Sequence, residues 1–95
     1  MPQKTLTGYA KMFRMLSDDT RLKIFSILNA KKMTATDILK ELDITQPTLS
    51  YHLTTMCEVR ILKAATKWKW TYYSIDRKGI NKMIRFLDGA KEVSE

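Results

Sequence analysis

Residues 34–53 read T-A-T-D-I-L-K-E-L-D-I-T-Q-P-T-L-S-Y-H-L, and this run decides the fold. It holds two short helical patterns separated by a tight break at Asp43-Ile44. Thr34 is placed to cap the first helix. Asp37, three residues on, makes a variant of the capping box with Asp in place of Glu. Ile38, Leu39 and Leu42 form its inner face. Thr45 is placed to cap the second helix, with Pro47 in the first turn, where a missing N–H leaves no bond unmade. Two helices joined this way let one brace the other against the major groove of DNA.

The second helix is expected over about residues 46–59. Leu49, Leu53 and Met56 stack on one side. The opposite side carries Pro47, Tyr51, Thr54 and Glu58, flanked by Thr48 and Ser50. A merely soluble outer face more often carries Lys and Glu. Short hydroxyls and a tyrosine make a groove-reading surface instead. The readout candidates are Thr45, Gln46, Thr48, Ser50 and Tyr51. Gln46 can pair with adenine, the hydroxyls can serve either base, and the Tyr51 ring can touch a thymine methyl.

Working outward, residues 61–75 read as a hairpin. Trp70-Thr71-Tyr72-Tyr73-Ser74-Ile75 is rich in strand formers, and Lys67-Trp68-Lys69 lies between the strands. Upstream, Leu6, Tyr9, Ala10, Met12, Phe13 and Leu16 recur at helical spacing over about 6–16. Ser17-Asp18-Asp19 breaks that pattern and offers a cap to a helix over about 19–29, whose wide apolar face suits a fully buried central helix. A last helix, about 76–90, starts at Asp76 and repeats Ile80, Met83, Ile84 and Leu87. Gly79 weakens it by about 1 kcal/mol relative to alanine. The fold class is mainly α with a small β-hairpin wing: four helices, the hairpin and a fifth helix, in winged helix-turn-helix order.

The 95 residues argue for one domain, 1–95. A composition of 44% hydrophobic and 28% charged residues is that of a globular chain, not a disordered one. The net charge of +7 is uneven: +2 over residues 1–59, +7 over 60–85 and −2 over 86–95. A local basic excess suits a polyanion. Lys32, Lys63, Lys67 and Lys69 are the candidate phosphate contacts. A chain this short often gains stability by oligomerising. Leu6, Tyr9, Phe13, Ile80, Ile84 and Leu87 exceed what one small core can bury, so the first and last helices are expected to form a homodimer interface. The single cysteine, Cys57, excludes an internal disulfide and reads as an inert thiol. The six methionines read as core filling. No apolar stretch approaches the ~20 residues of a spanning helix, and the N-terminus has no signal-peptide core, so a cytoplasmic chain with no membrane partner is expected.

Catalysis finds no support. Ser50 and His52 lie two residues apart on one helix and point different ways. No glycine-rich phosphate loop is present. His52 flanks the Leu49/Leu53 side and reads as a packed or phosphate-facing side chain.

Three segments then carry a resemblance. L-S-D-D-T-R-L-K-I-F-S-I-L (16–28), L-D-I-T-Q-P-T-L-S-Y-H-L (42–53) and I-L-K-A-A-T-K-W-K-W-T-Y-Y-S-I (61–75) together resemble the ArsR/SmtB family of repressors, over about residues 6–87. The resemblance implies a homodimer joined by its first and last helices. It also implies a fourth helix in the major groove and a wing along the backbone or minor groove.

Three departures stand out. Metal-sensing members place cysteines around the start of the recognition helix, where this chain has Asp43 and Thr45. Others use His and Asp pairs on the last helix, which here has no histidine and only Asp76 and Asp88 as carboxylates. No transition-metal sensing and no cofactor are therefore expected. Family wings usually carry glycine at the tip, where this chain has Trp68. Its indole either wedges into the minor groove or packs back on the wing. Asp19 stands where the family often has proline, a local change.

The favoured function is a repressor occupying an imperfect palindrome in double-stranded DNA. The alternatives are a plasmid or architectural DNA-binding module and a winged protein-interaction module.

Overall fold

The structure is a computed structural model that describes residues 2–91. Helix α1 spans Gln3–Met15 and α2 spans Asp19–Ala30; a short strand β1, Met33–Thr34, leads into α3, Ala35–Leu39. Helix α4 spans Gln46–Glu58. Strands β2, Leu62–Lys67, and β3, Trp70–Ile75, form the hairpin, and α5 spans Arg77–Asp88.

Four helix starts are written in single side chains. Asp18 accepts the Arg21 N–H, Thr34 that of Asp37, Thr45 that of Thr48 and Asp76 that of Gly79. Each bond satisfies one of the donors a helix leaves open at its start, and each is worth about 1 kcal/mol. Thr45 therefore folds the protein as well as standing at the exposed end of α4. Helix α1 lacks such a side-chain cap and begins at Gln3, three residues before the first residue of its apolar pattern.

The end of α4 is equally specific. The Ile61 N–H donates to the Met56 carbonyl at 3.0 Å and the Arg60 N–H to the Cys57 carbonyl at 3.1 Å. This is the Schellman closure, and Ile61 and Met56 supply its apolar contact, both fully buried. Arg60 has φ 64° at the position where glycine is usual.

The sheet has three antiparallel strands in the order β1-β3-β2. Sequence reasoning found the hairpin and missed β1, which pairs Met33 with Tyr73 and Thr34 with Tyr72. Two residues are too few to show a period of two, and Thr34 also serves as a helix cap. The hairpin is tighter than expected. Lys67 pairs with Trp70, so only Trp68 and Lys69 form the turn.

The core lies where α2, α3, α4 and the base of the sheet meet. Ile24, Leu28, Ile38, Leu49, Leu53, Met56, Ile61 and Leu62 are at most 2% exposed. Met12, Met56 and Met83 are core residues. Helix α2 is not the fully buried helix its composition suggested. Ile24 and Leu28 are buried, but Leu22 is 47% exposed. Gly79 also takes a different meaning. A Cβ there would overlap the Arg60 carbonyl oxygen, so this glycine is what lets α5 close on the end of α4.

Candidate nucleic-acid interface

Helix α4 presents two chemically distinct sides. Leu49, Leu53 and Met56 are at most 1% exposed and anchor it to the core. Thr45, Gln46, Pro47, Thr48, Ser50, Tyr51 and Thr54 are all exposed. The rigid inner side fixes the azimuth of the outer one, which is what a groove-reading helix requires. The readout candidates do not form one uniform row. Gln46 and Ser50 border a crevice against α3, which Thr36 and Leu39 also line. Tyr51 projects away, 64% exposed. The Thr45 hydroxyl donates to Oγ1 of Thr48 at 2.9 Å while capping the helix, so these two hydroxyls are partly committed to each other.

His52 is half-buried, with Nδ1 3.4 Å from a guanidinium nitrogen of Arg21. Arg21 is itself held by the Met15 carbonyl, which accepts from Nε at 2.7 Å. The pair joins α2 to α4, in keeping with a packed histidine. Cys57 is also half-buried. Burial first, and the Asp76 carboxylate second, push its thiol up from the ordinary value, which disfavours the reactive thiolate.

The four candidate phosphate lysines converge. In an antiparallel ladder, residues paired directly across share a face. Lys63 pairs with Ser74, Ala65 with Tyr72 and Lys67 with Trp70, so Lys63 and Lys67 share a face with Tyr72 and Trp70. Lys32 reaches the same tyrosine, with Nζ 5.5 Å from the ring centroid, and Lys69 lies 5.9 Å from that of Trp70. Tyr73 points to the other side and packs on the core. The result is one basic sheet face floored by aromatic rings. Trp70 and Tyr72 were missed as members of it, although the alternation of residues 70–75 carries that signal.

Trp68 sits at the first turn position with φ 64°, backbone that glycine adopts freely and other residues at a cost of about 1–2 kcal/mol. Its side chain is 91% exposed. The alternative in which the indole packs back on the wing is therefore excluded. Replacing Trp68 with glycine should stabilise the hairpin by about 1 kcal/mol, visible as a higher Tm, through release of this strain. Unchanged or lowered Tm would contradict the strain.

The dimer candidates divide into two groups. Leu6 is 40%, Ile84 55% and Leu87 54% exposed. Tyr9, Phe13 and Ile80 are partly buried against the chain's own core. Phe86, which sequence reasoning passed over, stacks on Tyr9 at 4.4 Å between centroids and lies 6.1 Å from Phe13, joining α5 to α1. Among the described residues no group of three or more His, Cys, Asp or Glu is placed to share a metal ion. No helix among them is long and apolar enough to cross a membrane.

Comparison with known proteins agrees with this geometry. The family described as "Bacterial regulatory protein, arsR family" matches residues 18–64, from the start of α2 into β2. The transcriptional repressor SdpR of Bacillus subtilis is 32% identical over 81 residues, covering 81% of this chain and 90% of its own. An ArsR-like transcriptional regulator from Rhodococcus superposes with a TM-score of 0.83 at 23% identity, over 93% of this chain and 85% of that one. The homodimeric winged helix-turn-helix domain of a possible ArsR-family regulator from Mycobacterium bovis does so with a TM-score of 0.73 at 16% identity, over 97% and 91%. The described helices, the wing and these likenesses agree: the chain belongs to the arsR family of bacterial regulatory proteins and is a winged helix-turn-helix DNA-binding transcriptional regulator, not an enzyme.

Proposed function

We propose that the chain is a cytoplasmic, homodimeric repressor that silences a promoter by occupying an imperfect palindrome, without metal sensing. The exposed polar side of α4, set against its fully buried inner side, is the observation that carries this reading. Two copies of α4 would enter successive major grooves with half-sites about one turn, ~10 bp, apart. Gln46, Ser50, Thr48, Thr45 and Tyr51 would meet base edges, and the lysine face of the wing would meet phosphate. Phosphate contacts supply much of the affinity and little sequence choice. Trp68 at the wing tip would reach the minor groove beside them.

The exposed apolar residues Leu6, Ile84 and Leu87, continuous with Tyr9, Phe13 and Ile80, support pairing through α1 and α5. The Mycobacterium bovis domain of the same fold is a homodimer. Sedimentation at micromolar concentration should give a dimer; a monomer would contradict the proposed interface. At the positions where the family resemblance would put metal-binding cysteines, Asp43 is an exposed carboxylate and Thr45 is the helix cap. Neither is a thiolate ligand.

Lys67→Ala should weaken binding to operator and random DNA alike. The slope of log affinity against log salt should fall by about 1. A loss confined to the operator would contradict a phosphate role.

A further inference from the structure

A second site lies at the other end of α4. A cavity of about 500 Å³ opens between α1, the end of α4 and α5. That volume lies in the range of small-molecule pockets, about 300–1,000 Å³. Lys11, Arg60, Lys82 and Arg85 line it against a single carboxylate, Glu58, four positive charges to one negative. Among the described residues the only ion pairs within 4.0 Å are Lys40–Asp37 and Lys91–Asp88, so none of these four cations has a carboxylate partner. Clustered like charges repel, and an anion between them removes that repulsion.

DNA does not account for these charges. The readout candidates end at Tyr51, and Glu58 lies seven residues further along the helix, about 10 Å at 1.5 Å per residue. Dimerisation does not account for them either. At 3.6 residues per turn, Lys82 and Arg85 fall on the opposite side of α5 from Ile80, Ile84 and Leu87. Six of the eight cations of the stretch 60–85 thus fall in two places, Lys63, Lys67 and Lys69 on the wing and Arg60, Lys82 and Arg85 around the cavity.

Arg60 is the most telling residue. It holds a left-handed φ of 64° at the helix-ending position where glycine is usual. That φ belongs to the closure of α4; what Arg60 adds to the cavity is its side chain. A guanidinium offers a planar fork that fits carboxylate or phosphate oxygens in pairs. Tyr9, Met12 and Val59 add an apolar wall. Gly8 leaves the α1 side open, since a Cβ there meets nothing within 4 Å.

We infer that the cavity framed by Lys11, Arg60, Lys82 and Arg85 binds a small organic anion, a phosphate or carboxylate carried on an apolar body. The head group lies among the cations, and the apolar body lies against Tyr9 and Met12. The wall formed by Glu58, Val59 and Arg60 is the end of α4, so an occupant touches the element that carries the readout candidates. Its use as an effector site rests on the DNA-binding reading; occupancy of the cavity does not.

The test is calorimetric titration of the full chain, without DNA, using phenyl phosphate and benzoate. Phenol and inorganic phosphate serve as the ring-only and charge-only controls. Saturable binding of either aromatic anion, tighter than both controls, is expected. Lys82→Glu with Arg85→Glu, both exposed residues, should weaken it about tenfold or more, the scale of one or two lost charge-assisted hydrogen bonds. Gly8→Leu, which keeps every charge and occupies the space, should weaken it too. Lys63→Glu with Lys67→Glu on the wing should leave it unchanged. The inference is overturned if neither anion binds saturably, if the α5 reversal has no effect, or if the wing reversal weakens binding equally.

Discussion

Gly79→Ala is expected to destabilise the protein by about 3 kcal/mol or more, the upper end of overpacking costs. At ~4–8 °C per kcal/mol for a domain of this size, that is a fall in Tm of about 12–24 °C. The sign is opposite to the helix-propensity expectation, in which alanine gains about 1 kcal/mol over glycine. Sterics win because the added methyl meets a backbone carbonyl, that of Arg60, and not a movable side chain. That carbonyl cannot retreat. The Arg60 and Ile61 N–H groups are bonded to Cys57 and Met56, and the Ile61 carbonyl accepts the Asp76 N–H at 2.9 Å. Ile61 on the next residue is fully buried. Gly8→Ala is the internal control. With open space around its Cβ, it should follow propensity and raise Tm by a few degrees, for about 0.5–1 kcal/mol. Thermal unfolding of both variants checks the pair. Equal effects of the two substitutions would show that α5 does not close on Arg60 as described.

Tyr51→Ala should lower operator affinity by roughly 1–3 kcal/mol, about 5- to 150-fold, and leave random-sequence affinity nearly unchanged. The side chain is 64% exposed and its removal opens no cavity, so folding should be unaffected. Gln46→Ala should behave alike, with its loss concentrated at an adenine. Thr45→Ala should differ. It removes the cap of α4 as well as a groove contact, so it should lower stability by about 1 kcal/mol alongside affinity. Fluorescence anisotropy on operator and scrambled duplexes, with Tm measured in parallel, separates these outcomes. Equal losses for Tyr51→Ala on both duplexes would remove it from base readout.

The parts of the fold legible in the sequence are those set by local chemistry. The caps at Asp18, Thr34, Thr45 and Asp76 each depend on a side chain and an N–H three residues away, so a short window holds the whole cause. The two-sidedness of α4 was legible for the same reason: Leu49, Leu53 and Met56 set its periodicity. What escaped was long-range or too short to show a pattern. β1 exists because residues 33 and 34 find β3 forty residues on. The role of Gly79 depends on Arg60 of another element. Phe86 gains its place from Tyr9 and Phe13, more than seventy positions earlier. Composition registered the basic excess of residues 60–85 but could not divide it between a wing face and a cavity. That Trp68 stands at the wing tip was legible, but its solvent exposure could not be foreseen, because burial of a turn residue depends on what lies beside it.

In the proposed complex two symmetry-related copies of α4 lie with their exposed side against base edges. Selection of bound duplexes from a random library by the purified chain tests it most directly. Enrichment of an imperfect palindrome with half-site centres about 10 bp apart is expected, lost or degenerate when the selection is repeated with a Tyr51→Ala, Gln46→Ala chain. Recovery of no consensus, or of the same palindrome by that double variant, would contradict it.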